Sequence, residues 1–256
     1  MPFLHSNLAE IYYELDADLN FSKKILMLNG FTRPLTDFRS FRKHLNSVGI
    51  SCLLMDLRGN GQSKKYDKIS LDLHVSDIKN LLDELGISSI HVLGISMGGI
   101  VAQNLLRHHP NYIDSCFLVS TTYNSKFINK VHFNTDIEEN TQKLRHYFSD
   151  DYFNKNQLMV KAIAKQLTKN ISENHAAQQS KSISDFDFSD YLHGNNNKIN
   201  FIHGNEDKVM PIEKIRDLCN KNSAIEIHEI AECGHLILAE KPKNMYQYVE
   251  TVINRF

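Results

Sequence analysis

The hexapeptide Gly94-Ile95-Ser96-Met97-Gly98-Gly99 constrains this chain more than any other segment. It stands between an apolar run that reads as a strand (Ile90, Val92, Leu93, Ile95) and an apolar helical pattern (Ile100, Val101, Leu105, Leu106). A chain that passes from strand to helix in so few residues turns sharply, and only small neighbours admit the turn. Cβ atoms two positions before and after Ser96 would meet the returning chain, hence Gly94 and Gly98; Gly99 lets the helix lie close to the sheet. Such a turn exposes the Ser96 hydroxyl at a helix N-terminus, which suits a nucleophile. A phosphate-binding loop is the competing reading of a Gly-rich turn. It fails here, because no Lys-Ser/Thr pair follows and the glycine spacing is not that of a dinucleotide fingerprint.

Around the elbow, strand and helix patterns alternate. An early antiparallel strand is expected over 8–15, followed by a turn over 16–20, and a strand buried on both faces over 25–28 ends at Asn29-Gly30. A helix over 36–48, a buried strand over 52–57 and a helix over 70–85 follow, the last with Ser70 as N-cap and Gly86 as its stop. After the elbow helix, which Pro110 ends, a strand is expected over 113–120. The alternation then ceases until residue 192. Residues 121–192 are rich in Asn, Lys, Gln and Ser, and their patterns are helical over 137–148, 158–167 and 173–183. Strands return over 199–203 and 225–230, with a helix starting near Pro211 between them and a closing helix over 242–256. The expected fold is therefore α/β, with a mostly parallel central sheet and helices on both faces. Residues 1–120 and 193–256 form one core and residues 121–192 an all-helical insertion. A length of 256 residues suffices for one such core.

Parallel sheets of this kind bind ligands at the carboxyl ends of their strands. Two further residues fall at such ends. Asp207 follows the strand over 199–203, and His235 follows the strand over 225–230. A serine hydroxyl needs a base to take its proton, and the base needs a carboxylate to fix its tautomer, so the order Ser96, Asp207, His235 supplies a complete relay. Taken alone, Asp207 reads equally as an N-cap or turn residue, with Glu206 as a rival acid, and His235 reads as a loop histidine. The reaction also needs donors for a developing oxyanion. The Met97 N–H, at the start of the helix, is one. The Phe31 N–H is the other, with Gly30 allowing the backbone to approach.

Composition narrows the function classes. Lys plus Arg number 29 against 30 Asp plus Glu, a net charge of −1, so no electrostatic ground exists for a nucleic acid partner. No apolar run reaches membrane-spanning length and residues 1–7 lack a signal-like pattern, so a cytoplasmic protein without integral membrane association is expected. The four cysteines form no C-x-x-C pair and read as reduced. The 13 histidines show no metal-ligand spacing. Neither a metal nor a cofactor is expected.

These residues resemble the α/β-hydrolase fold family, in its capped branch of serine esterases, lactonases and C–C hydrolases. The likeness rests on Gly94 to Gly99, on Asp56-Leu57-Arg58-Gly59-Asn60-Gly61-Gln62-Ser63 (a D-x-R-G-x-G-x-S loop), on Gly204 to Pro211 and on Gly234-His235. It covers nearly all of the chain except 121–192, where the family carries its variable lid. Many relatives have His-Gly at the oxyanion loop, whereas this chain has Asn29-Gly30-Phe31-Thr32. Asp56 and Arg58 read as braces of the turn. The resemblance implies carboxylic ester hydrolysis through an acyl-enzyme on a small-molecule ester or thioester-linked acyl substrate. A serine at the nucleophile position argues against the aspartyl-ester chemistry of dehalogenases and epoxide hydrolases. The Ser-Met-Gly-Gly elbow is similar to those of enol-lactonases and C–C hydrolases, and methyl esterases of carrier-bound acyl chains also compete. A non-catalytic binding protein is the other class. Within the lid, Phe127, Ile128, Phe133, Tyr147 and Ile163 are candidates for an acyl pocket. Phe148 and Met159, with Val209 and Leu236 near the acid and the base, complete the expected lining.

Overall fold

Alternate residues of one strand explain why the sheet carries helices on both sides. In β3 (Lys23–Leu28), Leu26 and Leu28 join one apolar cluster, whereas Ile25 and Met27 join the other. The first cluster receives α2 (Leu71–Glu84) and α3 (Met97–His108) through residues such as Ile78, Leu81, Ile100 and Val101. The second receives α1 (Arg39–Ser47) and α11 (Pro242–Ile253) through Phe41, Leu45, Met245 and Val249. A computed structural model describes residues 3–6, 9–16, 23–63, 65–171 and 175–255 of the chain. The expected Leu8 strand start, the turn beyond Asp16, the helix start at 173–174 and the last residue of the closing helix lie outside the described residues.

The other strands are β1 (Phe3–Ser6), β2 (Ala9–Leu15), β4 (Ile50–Met55), β5 (Lys65–Tyr66), β6 (Ile90–Ile95), β7 (Ile113–Val119), β8 (Ile199–Gly204) and β9 (Ile225–Ile230). They run in the order β1-β2-β4-β3-β6-β7-β8-β9, with β5 paired to β2. Pairings that involve β2 are antiparallel and all the others are parallel. The register sets Leu28 beside Gly94 and Ile95 beside Val119, so the loops after β3, β6 and β7 leave one edge of the sheet together.

Between β7 and β8 the chain is built from helices: α4 (Ile137–Lys143), α5 (Asp150–Lys155), α6 (Gln157–Ile171), α7 (His175–Ser182) and α8 (Ser189–Gly194). The helix expected over 137–148 stops earlier, at Lys143, and a 3-10 turn, Leu144–His146, follows. Ser149 then caps α5, accepting a hydrogen bond from the Tyr152 N–H, so the chain restarts in a new direction. Sequence periodicity missed α5 and α8 because six residues are too few to display a period. The helix expected at Pro211 begins later, as α9 (Glu213–Cys219). α10 (Ile237–Glu240), a single turn after the histidine loop, gave no pattern either.

Beneath the D-x-R-G-x-G-x-S loop, Arg58 donates two hydrogen bonds to Asp77 on α2, from Nε at 2.6 Å and Nη2 at 2.7 Å. Both side chains are only 1% exposed. The pairing helps each charge to be tolerated in the interior, and Arg58 Nη1 also donates to Lys68 O at 3.1 Å. Among the described residues, no helix is long and apolar enough to cross a membrane.

Candidate active site

The elbow takes the strained form its glycines imply. Ser96 has φ 52° and ψ −114°, a left-handed conformation that L-residues avoid. A Cβ on Gly94 would lie 2.3 Å from Gly98 O, and one on Gly98 would lie 2.2 Å from Leu28 O. Both contacts are with backbone and cannot relax cheaply. A Cβ on Gly99 would press on the Thr121 side chain at 2.7 Å. Gly30 differs: a Cβ there would touch Ser96 Cβ at 3.4 Å, an ordinary contact, so close backbone approach does not explain that glycine. The strained turn is held by Ser96 N–H donating to Val119 O (2.9 Å) and by Thr121 Oγ1 donating to Ser96 O (2.8 Å).

Ser96, Asp207 and His235 converge from the loops after β6, β8 and β9. Ser96 Oγ lies 3.0 Å from His235 Nε2, and His235 Nδ1 lies 2.8 Å from Asp207 Oδ2. A carboxylate only accepts, so Nδ1 carries the proton and Nε2 is left to accept from the serine hydroxyl. Asp207 Oδ1 accepts from the N–H groups of Val209 and Met210, each at 2.9 Å. Its Oδ2 is also 3.2 Å from His203 Nε2, a buried ring that donates to Met210 O at 2.7 Å. Burial by itself would raise the Asp207 carboxyl. The attraction of His235 and the hydrogen bonds from His203 and His235 outweigh it and hold the group well below the usual carboxylate range. Asp207, not Glu206, is the carboxylate that reaches His235.

His203 was not singled out by sequence, although its position as the last side chain before Gly204 could have signalled it. Glu240, on α10, was also missed. It accepts from Gly234 N–H (2.9 Å) and from the Ser149 N–H and Oγ–H, which ties the histidine loop to the segment before α5. Tyr147 belongs to the same segment. Its carbonyl accepts from the His235 and Leu236 N–H groups (2.8 and 3.2 Å), and its ring meets the His235 ring edge-on at 5.4 Å.

The loop after β3 carries Phe31. Asn29 organises it as a brace: Oδ1 accepts from Gly30 N–H (2.7 Å), while Nδ2 donates to Pro34 O (2.7 Å) and Asp37 Oδ2 (3.1 Å). Asp56 also stays structural, accepting from Leu35 N–H and Gln62 N–H. Among the described residues, no acceptor is paired with the Phe31 or Met97 N–H. The Met97 side chain is buried in the core, so only its amide, adjoining Ser96, faces the turn.

A cavity of about 550 Å³ opens over Ser96, within the range of small-molecule sites. Gly30, Phe31, Ser96 and His235 form its floor. Met159, Val209 and Leu236 border it, as do Ile128, Phe133, Tyr147 and Ile163. Phe148 does not. Its ring is fully buried and stacks on Tyr152 within the separate core of the helical segment, because Tyr147, its neighbour, takes the side facing the histidine. Phe127 is likewise turned away from the cavity, packing edge-on to Tyr123. Arg33, paired with Asp37 and donating to Gln166 on α6, adds a polar corner that sequence reading missed.

Comparison with known proteins agrees with this architecture. A family model described as alpha/beta hydrolase fold matches residues 23–242. A 2-hydroxy-6-oxononadienedioate/2-hydroxy-6-oxononatrienedioate hydrolase of Pseudomonas putida is 23% identical over 87% of this chain and 87% of its own. An sn-1-specific diacylglycerol lipase of Danio rerio is 30% identical over 38% of this chain. The match spans 31% of that lipase, under a third of its length. A solved alpha/beta hydrolase enzyme from a Medee basin deep-sea metagenome library superposes with a TM-score of 0.85 at 20% identity, covering 100% of this chain and 98% of its own.

Proposed function

The chain belongs to the α/β-hydrolase family, and from that premise we propose that it is a serine hydrolase that cleaves carboxylic esters of small to medium acyl substrates through Ser96, His235 and Asp207. The observation that carries this reading is the unbroken line of hydrogen bonds Ser96 Oγ to His235 Nε2 (3.0 Å) and His235 Nδ1 to Asp207 Oδ2 (2.8 Å) beneath an apolar cavity. His235 Nε2 takes the Ser96 proton as Oγ attacks the ester carbonyl carbon. The negative charge formed on the carbonyl oxygen is met by the Phe31 and Met97 N–H groups. The intermediate collapses with His235 returning the proton to the leaving alkoxide, and an alcohol departs. Water, deprotonated by His235, then attacks the acyl-enzyme and releases the acid with Ser96 restored. Asp207, kept ionised by its hydrogen bonds, stabilises the imidazolium in both halves.

In this reading, residues 121–192 are a lid on the core of residues 1–120 and 193–256, and their apolar side chains Met159, Ile163 and Tyr147 receive the acyl group. C–C bond hydrolysis is the second reading, favoured by the one curated relative above that aligns along most of both chains. Lactonase chemistry uses the same acyl-enzyme with a tethered alcohol. The deciding experiment is turnover over p-nitrophenyl esters from acetate to octanoate, a lactone series and vinylogous dioxo acids, with Ser96→Ala as the blank. Ser96-dependent ester turnover with a chain-length optimum is expected. Folded protein that neither turns over any member nor reacts with a fluorophosphonate at Ser96 would sink the enzyme reading. Ser96-dependent cleavage of the dioxo acids alone would establish the second.

A further inference from the structure

One side chain of the helical segment is plugged into the loops of the core. Gln179, on α7, is fully buried. Its Nε2 spends both protons, on Arg58 O at 2.8 Å and on Asn60 Oδ1 at 2.7 Å, and its Oε1 accepts from Thr32 N–H at 3.0 Å. The flipped amide would set an NH2 against Thr32 N–H and an oxygen against two acceptors, so these partners fix its orientation.

That amide sets the next one. Because Asn60 Oδ1 is turned to Gln179, Asn60 Nδ2 faces the other way and donates to Gly30 O at 3.0 Å. Gly30 O belongs to the same planar trans peptide as the Phe31 N–H, and in such a unit the C=O and N–H point in opposite directions. Holding the carbonyl on Asn60 therefore aims the Phe31 N–H away from it. The following peptide is held too, since Gln179 takes the Thr32 N–H, and Thr32 sits at φ 56°, where a β-branched residue stays only if its surroundings hold it. Gly30 O also accepts from Arg33 N–H at 3.2 Å, a bond local to the loop, but the shorter bond is that from Asn60, and through it and the Thr32 N–H both peptides that flank Phe31 are tied to one glutamine of the helical segment.

We propose that Gln179 is a positioning residue that aims the Phe31 N–H, so that the docking of α7 onto the core completes the oxyanion hole. The proposal rests on the reading of Phe31 as an oxyanion donor. It gives the lid a part in the rate of the chemical step as well as in the choice of acyl group, with Asn60 as the relay between the two.

The test compares Gln179→Met, a near-isostere without hydrogen bonds, and Asn60→Ala, which removes the relay while leaving α7 in place. Losing an oxyanion donor outright costs about 10² to 10³ in kcat, so a misaimed donor sets an expected loss of ~10 to 10²-fold. KM should stay within about threefold, because the ground-state carbonyl is bound less tightly by such donors than the oxyanion. The double variant should be no worse than the poorer single one. Amide hydrogen exchange over residues 29–35 should quicken in Gln179→Met while the β6 peptide is unchanged. A Gln179→Met protein with wild-type kcat, a loss confined to KM, or a loss that only tracks the unfolded fraction overturns the proposal. If Gln179→Met fails to fold, Asn60→Ala decides by the same kcat criterion. If the wild type shows no Ser96-dependent turnover, the hydrolase reading falls separately. The exchange data then decide the positioning role alone, with unchanged exchange at 29–35 counting against it.

Discussion

The floor and the roof of the cavity are built from different materials. The floor hangs on loops that leave β3, β6, β8 and β9, and those strands are locked in parallel register between two apolar clusters. The roof comes from helices of 6 to 15 residues with a small core of their own around Leu144, Phe148, Phe153, Val160 and Ala164. These strands tolerate almost no slippage, since a one-residue shift would send the side chains packed for one apolar cluster into the other. Groups that must meet within 3 Å are therefore best carried by the floor. The helices of the roof are tied to the sheet by no strand ladder of that kind, so they can shift as units at lower cost, and their side chains decide shape instead.

The largest break in this contrast comes from Ser96→Ala, expected to lower kcat/KM by about 10⁴ to 10⁶-fold, as measured on the preferred ester. Its melting temperature should not fall, because alanine keeps the Cβ and the same backbone conformation, and the hydroxyl removed is only half-buried and faces the cavity. Asp77→Asn strikes the floor's support. It removes the carboxylate charge on which the buried Arg58 places two hydrogen bonds, so a loss of about 3 to 5 kcal/mol is expected, visible as a lower urea midpoint.

His74 is fully buried on α2 with both ring nitrogens unpartnered among the described residues. Burial, aided by the Arg58 charge, pushes its pKa down to about 3 from an ordinary 6.5. The ring is thus neutral in the folded protein and takes a proton more readily when unfolded. Its contribution is fully present above pH 6.5 and is lost as pH falls towards 3, reaching about 3 kcal/mol at pH 4. His74→Leu should therefore show a shallower fall in stability between pH 6.5 and 4 than the wild type, by equilibrium unfolding at each pH. Equal slopes would show that the ring finds a partner the fold does not display. The smallest effect lies in the roof. Ile163→Ala should move the preferred acyl length upward by one or two carbons with a selectivity change of roughly tenfold, while fluorophosphonate labelling of Ser96 keeps its rate. A labelling rate that falls as far as in Gln179→Met would mean that the roof acts on the chemistry throughout and not through α7 alone.

Legibility in the sequence follows the same division. The strands at 25–28, 52–57 and 199–203, the Ser70 cap and the elbow were readable because apolar runs and glycines there answer to local backbone rules. The pairing of His235 with Asp207 could be anticipated from strand-end position and order. The bond of Glu240 to Ser149, 91 residues away, and those of Gln179 to core residues 119 to 147 positions away could not, whereas His203 stands four residues from Asp207 at a strand end and could have been singled out. Phe148 shows the limit most plainly. Its apolar character predicted burial correctly, but the path of the turn after Leu144–His146 decides whether it or Tyr147 faces His235.

By itself, the sequence determined an α/β sheet with a serine held in a strained elbow, because sterics two residues away leave that turn few alternatives. The tertiary structure alone decided which aromatic ring faces the cavity and that an amide from α7 holds the peptide of Phe31. Those outcomes depend on hydrogen-bond directions between segments up to 147 residues apart, and no local pattern encodes a direction across such a distance.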